Sequence, residues 1–219
     1  MSDLPLMVIC LLTYCRTDLA LRTIRGISTF LRYAGPLEWY VADDGSPAEH
    51  TNAIADLLAG LKYKANMHSA RLGPGPSWTL AAQRALSMAD LVFWLEDDWE
   101  LRRELDVTPY VRLLLEKPEV GMVRLGHLPI DLLCDTVGYD GRHYLHVRKE
   151  KQYTYSGNPS IRHRRHFDAY GFYASDLRTA GENELYHDGS VRSRGGPQVW
   201  WPVDLGGWGV FGHTGEGKA

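Results

Sequence analysis

Three carboxylates stand side by side in "LVFWLEDDWEL" (91 to 101): Glu96, Asp97 and Asp98. Trp94, Leu95 and Trp99 pull this triplet toward buried surface. Partly desolvated like charges raise one another's pKa unless a cation or a set of donors compensates. A solvated turn, a helix N-terminus and a divalent cation site are the ordinary settings for such a cluster, and the apolar flanks argue against the first. Hard ions such as Mg²⁺ and Mn²⁺ take oxygen ligands and keep positions open for substrate phosphates. A metal held by one or two of these carboxylates and bridging a diphosphate is therefore the natural resolution. Two further acidic pairs invite attention: Asp43 and Asp44 in "YVADDGSP", and Glu182 and Glu184 in "TAGENELYHDGSVR" (179 to 192).

The elements that must position these groups alternate between strand and helix patterns. "LMVICLL" (6 to 12) is a continuous apolar run, expected of a strand covered on both faces. Thr17 precedes a helical pattern carrying Leu21, Ile24, Ile27 and Leu31. "LEWYVA" (37 to 42) is a strand that stops at the polar turn "DDGS", and Pro47 opens a helix with Ile54, Leu57, Leu58 and Leu61. "KYKANM" (62 to 67) is a weaker strand and "RLGPGP" (71 to 76) a turn-rich loop, after which Ser77 caps a helix to about Ala89. "LVFWL" (91 to 95) is the clearest strand. Four strands with three helical crossovers predict a mostly parallel sheet with right-handed connections. Ligands gather at the carboxyl ends of such strands. Thr13 and Tyr14, Asp43 and Asp44, and Glu96 to Asp98 then share one rim.

A helix over 107 to 116 and a strand over 120 to 125 lead into a stretch rich in Gly, His, Arg and Tyr. No linker, repeat or low-complexity tract interrupts it. The reading is one domain over 1 to 219, with a nucleotide half (about 1 to 101) and a less regular acceptor half (about 102 to 219). At 219 residues, 44% hydrophobic and a formal charge of -3, the chain is neither disordered nor a generic polyanion binder. Cys10, Cys15 and Cys134 show no metal-ligand spacing, which suits a reduced, cytoplasmic protein. The apolar run from Leu4 to Leu12 is too short to span a bilayer and lacks the basic leader of a signal peptide.

"VICLLTYCRTDLALRTIRGI", "WYVADDGSP" and "VFWLEDDWEL", in this order and at this spacing, resemble a GT-A glycosyltransferase, closest to the large inverting group called family 2. The "EDD" triplet also resembles the metal motif of N-acetylglucosaminyltransferases. The likeness covers roughly residues 6 to 101, with short matches later. It implies an α/β, Rossmann-like GT-A domain with a mostly parallel central sheet flanked by helices. The implied activity moves a sugar from a nucleotide-sugar donor, UDP-linked, to an acceptor hydroxyl with inversion, using Mn²⁺ or Mg²⁺. Tyr14 would then lie against the base, Asp44 would accept a hydrogen bond from the base imide, and Asp43 would sit at the ribose. Arg71 would contact the donor nucleotide or its phosphates. Asp98 would ligate the metal, Glu96 face the ribose and Asp97 the transferred sugar. Glu96 departs from the Asp of many relatives. Taken without the resemblance, Tyr14 also reads as a core aromatic, Arg71 as a surface charge, and Asp43 and Asp44 as turn-closing residues.

Later segments extend the likeness. "YSGNPSIRHRRHF" (155 to 167) resembles a segment near the donor diphosphate, where Arg162, Arg164 and Arg165 would meet phosphate; a solvated basic loop is the alternative. "TAGENELYHDGSVR" resembles the acidic motif that opens a helix and supplies the catalytic base. An inverting transfer needs a carboxylate to take the acceptor hydroxyl's proton. Glu182 aligns with it, but Asn183 stands where relatives often have Asp, so Glu184 is the alternative. "GVFGHTGEGK" (209 to 218) resembles a C-terminal segment whose histidine completes the metal shell, and His213 beside Asp98 would favour Mn²⁺. Late aromatics (Tyr153, Tyr155, Tyr170, Tyr173, Trp200, Trp201 and Trp208) read as core or as stacking platforms. "SVRSRGG" (190 to 196) reads as a mobile basic loop, which admits an anionic acceptor, including nucleic acid, beside a glycan or a small molecule. A sugar nucleotidyltransferase would carry a glycine-rich loop after the first strand, and "TYCRTD" has no glycine. A non-catalytic nucleotide-sugar or glycan-binding module would keep the rim without turnover.

Overall fold

The structure, a computed structural model, describes residues 4–67, 70–127, 134–148, 150, 154–177, 179–206 and 209–215. The first half contains β1 (Met7–Thr13), α1 (Thr17–Phe30), a two-residue β2 (Leu31–Arg32), β3 (Leu37–Asp43), α2 (Ala48–Leu58), β4 (Tyr63–Met67), α3 (Pro74–Met88) and β5 (Leu91–Glu96). The second half contains β6 (Trp99–Leu101), β7 (Leu105–Asp106), α4 (Thr108–Glu116), β8 (Val120–Arg124), β9 (Cys134–Tyr139), β10 (Arg142–Val147) and β11 (Ser160–His163). It ends with α5 (Arg164–Tyr170), α6 (Ala180–Ser193), β12 (Gln198–Pro202), a 3-10 turn over Val203–Leu205, and β13 (Phe211–His213).

One nine-stranded sheet runs β4-β3-β1-β5-β11-β8-β12-β10-β9. The ladders β4–β3, β3–β1, β1–β5 and β8–β12 are parallel, while β11 is antiparallel to both its neighbours. Following directions across the sheet, only β11 and β10 run against the rest, so the sheet is mostly parallel as expected. β1 shows why its sequence is apolar throughout. Met7, Ile9 and Leu11 enter one core layer, and Val8, Cys10 and Leu12 enter the other, with all seven strand residues buried. A strand covered on both faces cannot alternate. The register Thr13↔Asp43 and Leu12↔Glu96 brings three strand ends to one rim.

Three local expectations change. Helix α3 begins at Pro74 rather than after Ser77, which is buried inside the helix. Gly73, at φ 87°, takes the cap position, and Pro74 supplies a preset φ for the first turn. The second half is more regular than its composition suggested, because β8, β11, β12, β10 and β9 extend the same sheet. Residues 190–193 of the "SVRSRGG" stretch are the last turn of α6 rather than a loop. Tyr155, Tyr170, Tyr173, Trp200 and Trp201 are core, while Tyr153 and Trp208 lie outside the described residues.

Candidate active site

The acidic triplet closes over the end of β5, and α1 is fastened to it. Thr23 donates from Oγ1 to the Asp97 carbonyl at 2.8 Å. Thr13 Oγ1 donates to Asp97 Oδ2 at 2.8 Å, and the Tyr14 N–H donates to the same oxygen at 3.3 Å. Because Thr13's only proton goes to Asp97, His50 Nε2, 2.9 Å away, must be the donor to Thr13. His50 Nδ1 then accepts from Thr17 Oγ1 at 2.9 Å. The cation facing the triplet is Arg16. Its guanidinium bridges Asp97 and Asp98, with Nη1 2.6 Å from Asp98 Oδ2. Asp97 is nonetheless pushed up to about 6, because its burial outweighs the help from Arg16.

The second support comes from the far end of the chain. β13 pairs antiparallel with β6, placing His213 opposite Trp99 with their rings 4.8 Å apart. Thr214 donates from N and Oγ1 to the Asp98 carbonyl at 2.7 and 3.0 Å. His213 Nε2 thereby comes to 3.4 Å from Asp98 Oδ2. Asp98 Oδ1 is buried without a hydrogen-bond partner among the described residues. Ligands at roughly 2.1 Å on adjacent octahedral positions stand about 3 Å apart. The Asp98–His213 pair and its unpaired oxygen therefore fit a divalent cation that keeps its other positions for a ligand. No group of three or more His, Cys, Asp or Glu gathers for a metal among the described residues.

Opposite the triplet stands Glu184, on α6. It accepts from the Gly157 N–H at 2.6 Å. A Cβ on Gly157 would lie 2.2 Å from Glu184 Oε1 and 2.5 Å from Glu96 Oε1, so only glycine lets the two carboxylates meet there. Burial raises both, Glu96 well above the ordinary range, and each also feels the charge of Asp98. Gly157, Arg124 and Arg162 partly hold Glu184 back. Glu182 has a different setting. It is exposed and completes a capping box: its Oε2 accepts from Thr179 N and Oγ1, both at 2.9 Å, while its own N–H donates to Thr179 at 3.2 Å. The geometry gives Glu182 to the helix start and Glu184 to the cleft.

At the other side of the rim, Arg71 lies over the Tyr14 ring at 4.5 Å and 3.9 Å from Asp44. Asp44 accepts the N–H groups of Leu72 and Gly73 at 2.8 and 3.0 Å, tying the loop before α3 to the end of β3. Asp43 is turned inward. It accepts from Gly45 N at 3.1 Å, from Ser46 N at 2.8 Å and from Ser46 Oγ. Its contacts are those of a turn-closing aspartate rather than of a carboxylate facing a ribose.

The three arginines of 162 to 165 do not reach this rim. Arg162 pairs in register with Val92, four residues before Glu96, and its guanidinium is sealed among Trp94 (4.6 Å), Tyr155 (5.0 Å) and Tyr173, to whose hydroxyl it donates at 2.7 Å. Aromatic faces and hydroxyls replace the phosphate expected for it. Arg164 binds Asp90, and Arg165 donates to the carbonyls of Leu114, Lys117 and Val120, all at the opposite end of β5 and β8. Antiparallel β11 carries them away from the rim. Four residues here escaped the sequence reading: Arg16, Thr13 as an Asp97 donor, His50 and Gly157. Arg16, three residues beyond the β1 terminus in "TYCRTD", was detectable as a basic group next to an acidic rim.

No protein-family model matches the chain, and no curated protein matches it in sequence. Solved structures do match in fold. TarS of S. aureus superposes at TM-score 0.62 and 14% identity, covering 90% of this chain and 59% of that one. The mannosyltransferase PcManGT of Pyrobaculum calidifontis, solved with GDP-Man and Mn²⁺, gives 0.62 and 16%, over 90% and 55%. GalNAc-T7, solved with UDP, GalNAc and Mn²⁺, gives 0.65 and 14%, over 92% and 43%. The chain thus spans about half the length of the proteins it resembles. At such low identity the likeness concerns architecture, and with the mostly parallel sheet and the acidic rim it leads to one statement: the chain has the GT-A glycosyltransferase fold.

Proposed function

We propose that the chain is a single-domain, metal-dependent glycosyltransferase of the family 2 kind, transferring a sugar from a UDP-linked donor to an acceptor hydroxyl with inversion. The observation that carries the reading is Asp98, whose Oδ1, without a partner among the described residues, and whose Oδ2 beside His213 form a cation site at the rim where three strand ends meet. Tyr14 with Arg71 stacked on it forms a platform for the base, and Asp44 holds the loop that carries Arg71. A Mn²⁺ on Asp98 and His213 would neutralise charge developing on the leaving diphosphate. Glu184 takes the acceptor proton as the acceptor oxygen bonds to the anomeric carbon and the bond from that carbon to the diphosphate oxygen breaks. Burial raises its pKa, the direction in which a carboxylate becomes a stronger base. Glu182 is released from that role by its capping box.

The donor assignment is supported by neighbours of the same fold: TarS has been solved with UDP and with UDP-GlcNAc, and two others with Mn²⁺. An open groove of about 570 Å³ between α1 and β6 is lined by Arg22, Arg25 and Arg102 around the single acid Glu100. Its local positive charge, on a chain of net charge -3, suits an anionic ligand. Cytoplasmic residence rests on three unpaired cysteines. No helix among the described residues is long and apolar enough to cross a membrane. The test is calorimetric. Asp98→Ala should abolish Mn²⁺-dependent UDP binding while the fold persists, and unchanged affinity would refute the assignment.

A further inference from the structure

The guanidinium of Arg16 and the imidazole of His213 address the same atom. Arg16 Nη1 is 2.6 Å from Asp98 Oδ2, and His213 Nε2 is 3.4 Å from that oxygen. A divalent cation drawing on Asp98 and His213 together must approach Oδ2, and the position is already held by a positive charge in hydrogen-bond contact. Two cations cannot share one carboxylate oxygen at contact distance without strong repulsion. We infer that Arg16 and the divalent cation compete for Asp98, so that Arg16 sets the metal affinity of the donor-free protein. This rests on the cation site proposed above and adds to it the residue that controls its occupancy.

Arg16 is placed to yield. Asp97 and Asp98 are buried, but the Arg16 side chain is 35% exposed and sits ahead of the first turn of α1. Its backbone is at the cap position, and its side chain makes no capping hydrogen bond to the first turn of α1. When a cation takes Asp98, Arg16 keeps Asp97 as a partner, so its charge is never abandoned in a buried place. A nucleoside diphosphate arriving at the rim offers the displaced guanidinium a second anion of the geometry it binds well. Metal and nucleotide should therefore strengthen one another's binding through Arg16, beyond the direct bridge between them. A purely scaffolding arginine would act in the opposite sense. Its loss would loosen Asp98 and weaken the metal.

The experiment measures Mn²⁺ affinity, from the paramagnetic signal of the free ion, in the full chain with and without UDP. Wild type is compared with Arg16→Gln and Arg16→Lys. Arg16→Gln should bind Mn²⁺ alone about tenfold more tightly or better, the scale on which groups around a metal act. UDP should then add less to its affinity than it adds in wild type. Arg16→Lys keeps a cation beside the cluster but cannot bridge both carboxylates, and should fall between. Should the glutamine variant fail to fold, the lysine variant decides alone: tighter Mn²⁺ binding supports the competition, unchanged or weaker binding overturns it. Unchanged or weaker binding in Arg16→Gln overturns it likewise, and the cation site survives if Asp98→Ala still abolishes Mn²⁺-dependent UDP binding. No Mn²⁺ binding in any form, even with UDP, overturns the competition and the cation site together.

Discussion

Glu184→Gln separates the two acids of α6 by function. Glutamine keeps an amide oxygen to accept the Gly157 N–H, now 2.6 Å from Glu184, so the α6 contact and the local fold should persist. The variant cannot accept a proton. General-base catalysis is typically worth about 10²- to 10⁴-fold in rate, or about 3 to 5 kcal/mol of activation free energy. Turnover at saturating donor and acceptor should fall by that factor with UDP affinity unchanged. Stability should move the other way. Burial raises the pKa of Glu184 and of Glu96, so the native state binds more protons than the unfolded chain. Native stability then declines as pH rises above the ordinary Glu value, and removing one charge relieves the pair. A higher melting temperature at pH 8, with slow turnover, is the expected signature. Glu182→Gln preserves a capping box, since glutamine serves in it equally, and should leave both quantities alone. Transfer kinetics and thermal melts on the same preparations read both. A slow Glu182 variant beside an active Glu184 variant would refute the assignment, and two active variants would refute carboxylate-base catalysis here.

Two predictions concern the frame rather than the chemistry. His187, buried and pushed down to about 3 chiefly by desolvation, stays neutral in the fold but protonates in the unfolded chain. Its contribution is complete above the ordinary histidine value near 6.5 and is lost as pH falls toward 3, by up to roughly 1.4 kcal/mol per pH unit. Urea melts at pH 7 and pH 5 should show a steeper acid loss for wild type than for His187→Gln; parallel losses would count against it. Gly75→Ala would put a Cβ 1.8 Å from the Ala174 carbonyl, whereas Gly181, also helical, has nothing within 4 Å of its Cβ position. The first should cost about 1 to 3 kcal/mol, a melting temperature lower by about 2 to 10 °C, and the second should gain up to about 1 kcal/mol. Equal shifts in calorimetry would show that the close approach at Gly75 is not real.

The first half of the fold was legible because its signals are local. An apolar run of strand length, a turn of Asp and Gly, and apolar residues three and four apart each declare an element within a dozen residues. β1, α1, β3, α2 and β5 accordingly fall within a residue or two of their expected bounds, apart from one C-terminus: the α2 pattern ran to Leu61, and the helix stops at Leu58. The helix start at Pro74 is hidden in sequence because proline and glycine usually mark loops, whereas a glycine cap before proline also opens a helix. The β9–β10 hairpin carries a local signal that went unused: Asp140 and Gly141, both at positive φ, form the Asp-Gly turn such hairpins favour. β11 could not be found this way. Its four residues include an arginine and a histidine, and a buried arginine looks identical in sequence to a solvated one.

For the site, the sequence alone determined that a triplet of carboxylates ends a buried strand, and that polar residues end β1 and β3, two strands of the same run. Parallel α/β connectivity then carries all three to one rim, since each crossover returns the chain to the same edge. What tertiary structure decided were the pairings between segments far apart in the chain. Glu184 rather than Glu182 enters the cleft because α6 turns one face to Gly157, which is small enough to let Glu96 meet it. His213 reaches Asp98 because β13 pairs with β6, more than a hundred residues earlier. Arg162 is lost to the rim because β11 runs antiparallel and buries it among aromatic rings. Arg16 and the triplet meet across the β1–β5 ladder, an ion pair between residues about eighty positions apart. Residue type fixes what charge a group carries. Which charges confront one another in a desolvated space depends on strand direction and helix phase, and those are set by packing over the whole chain.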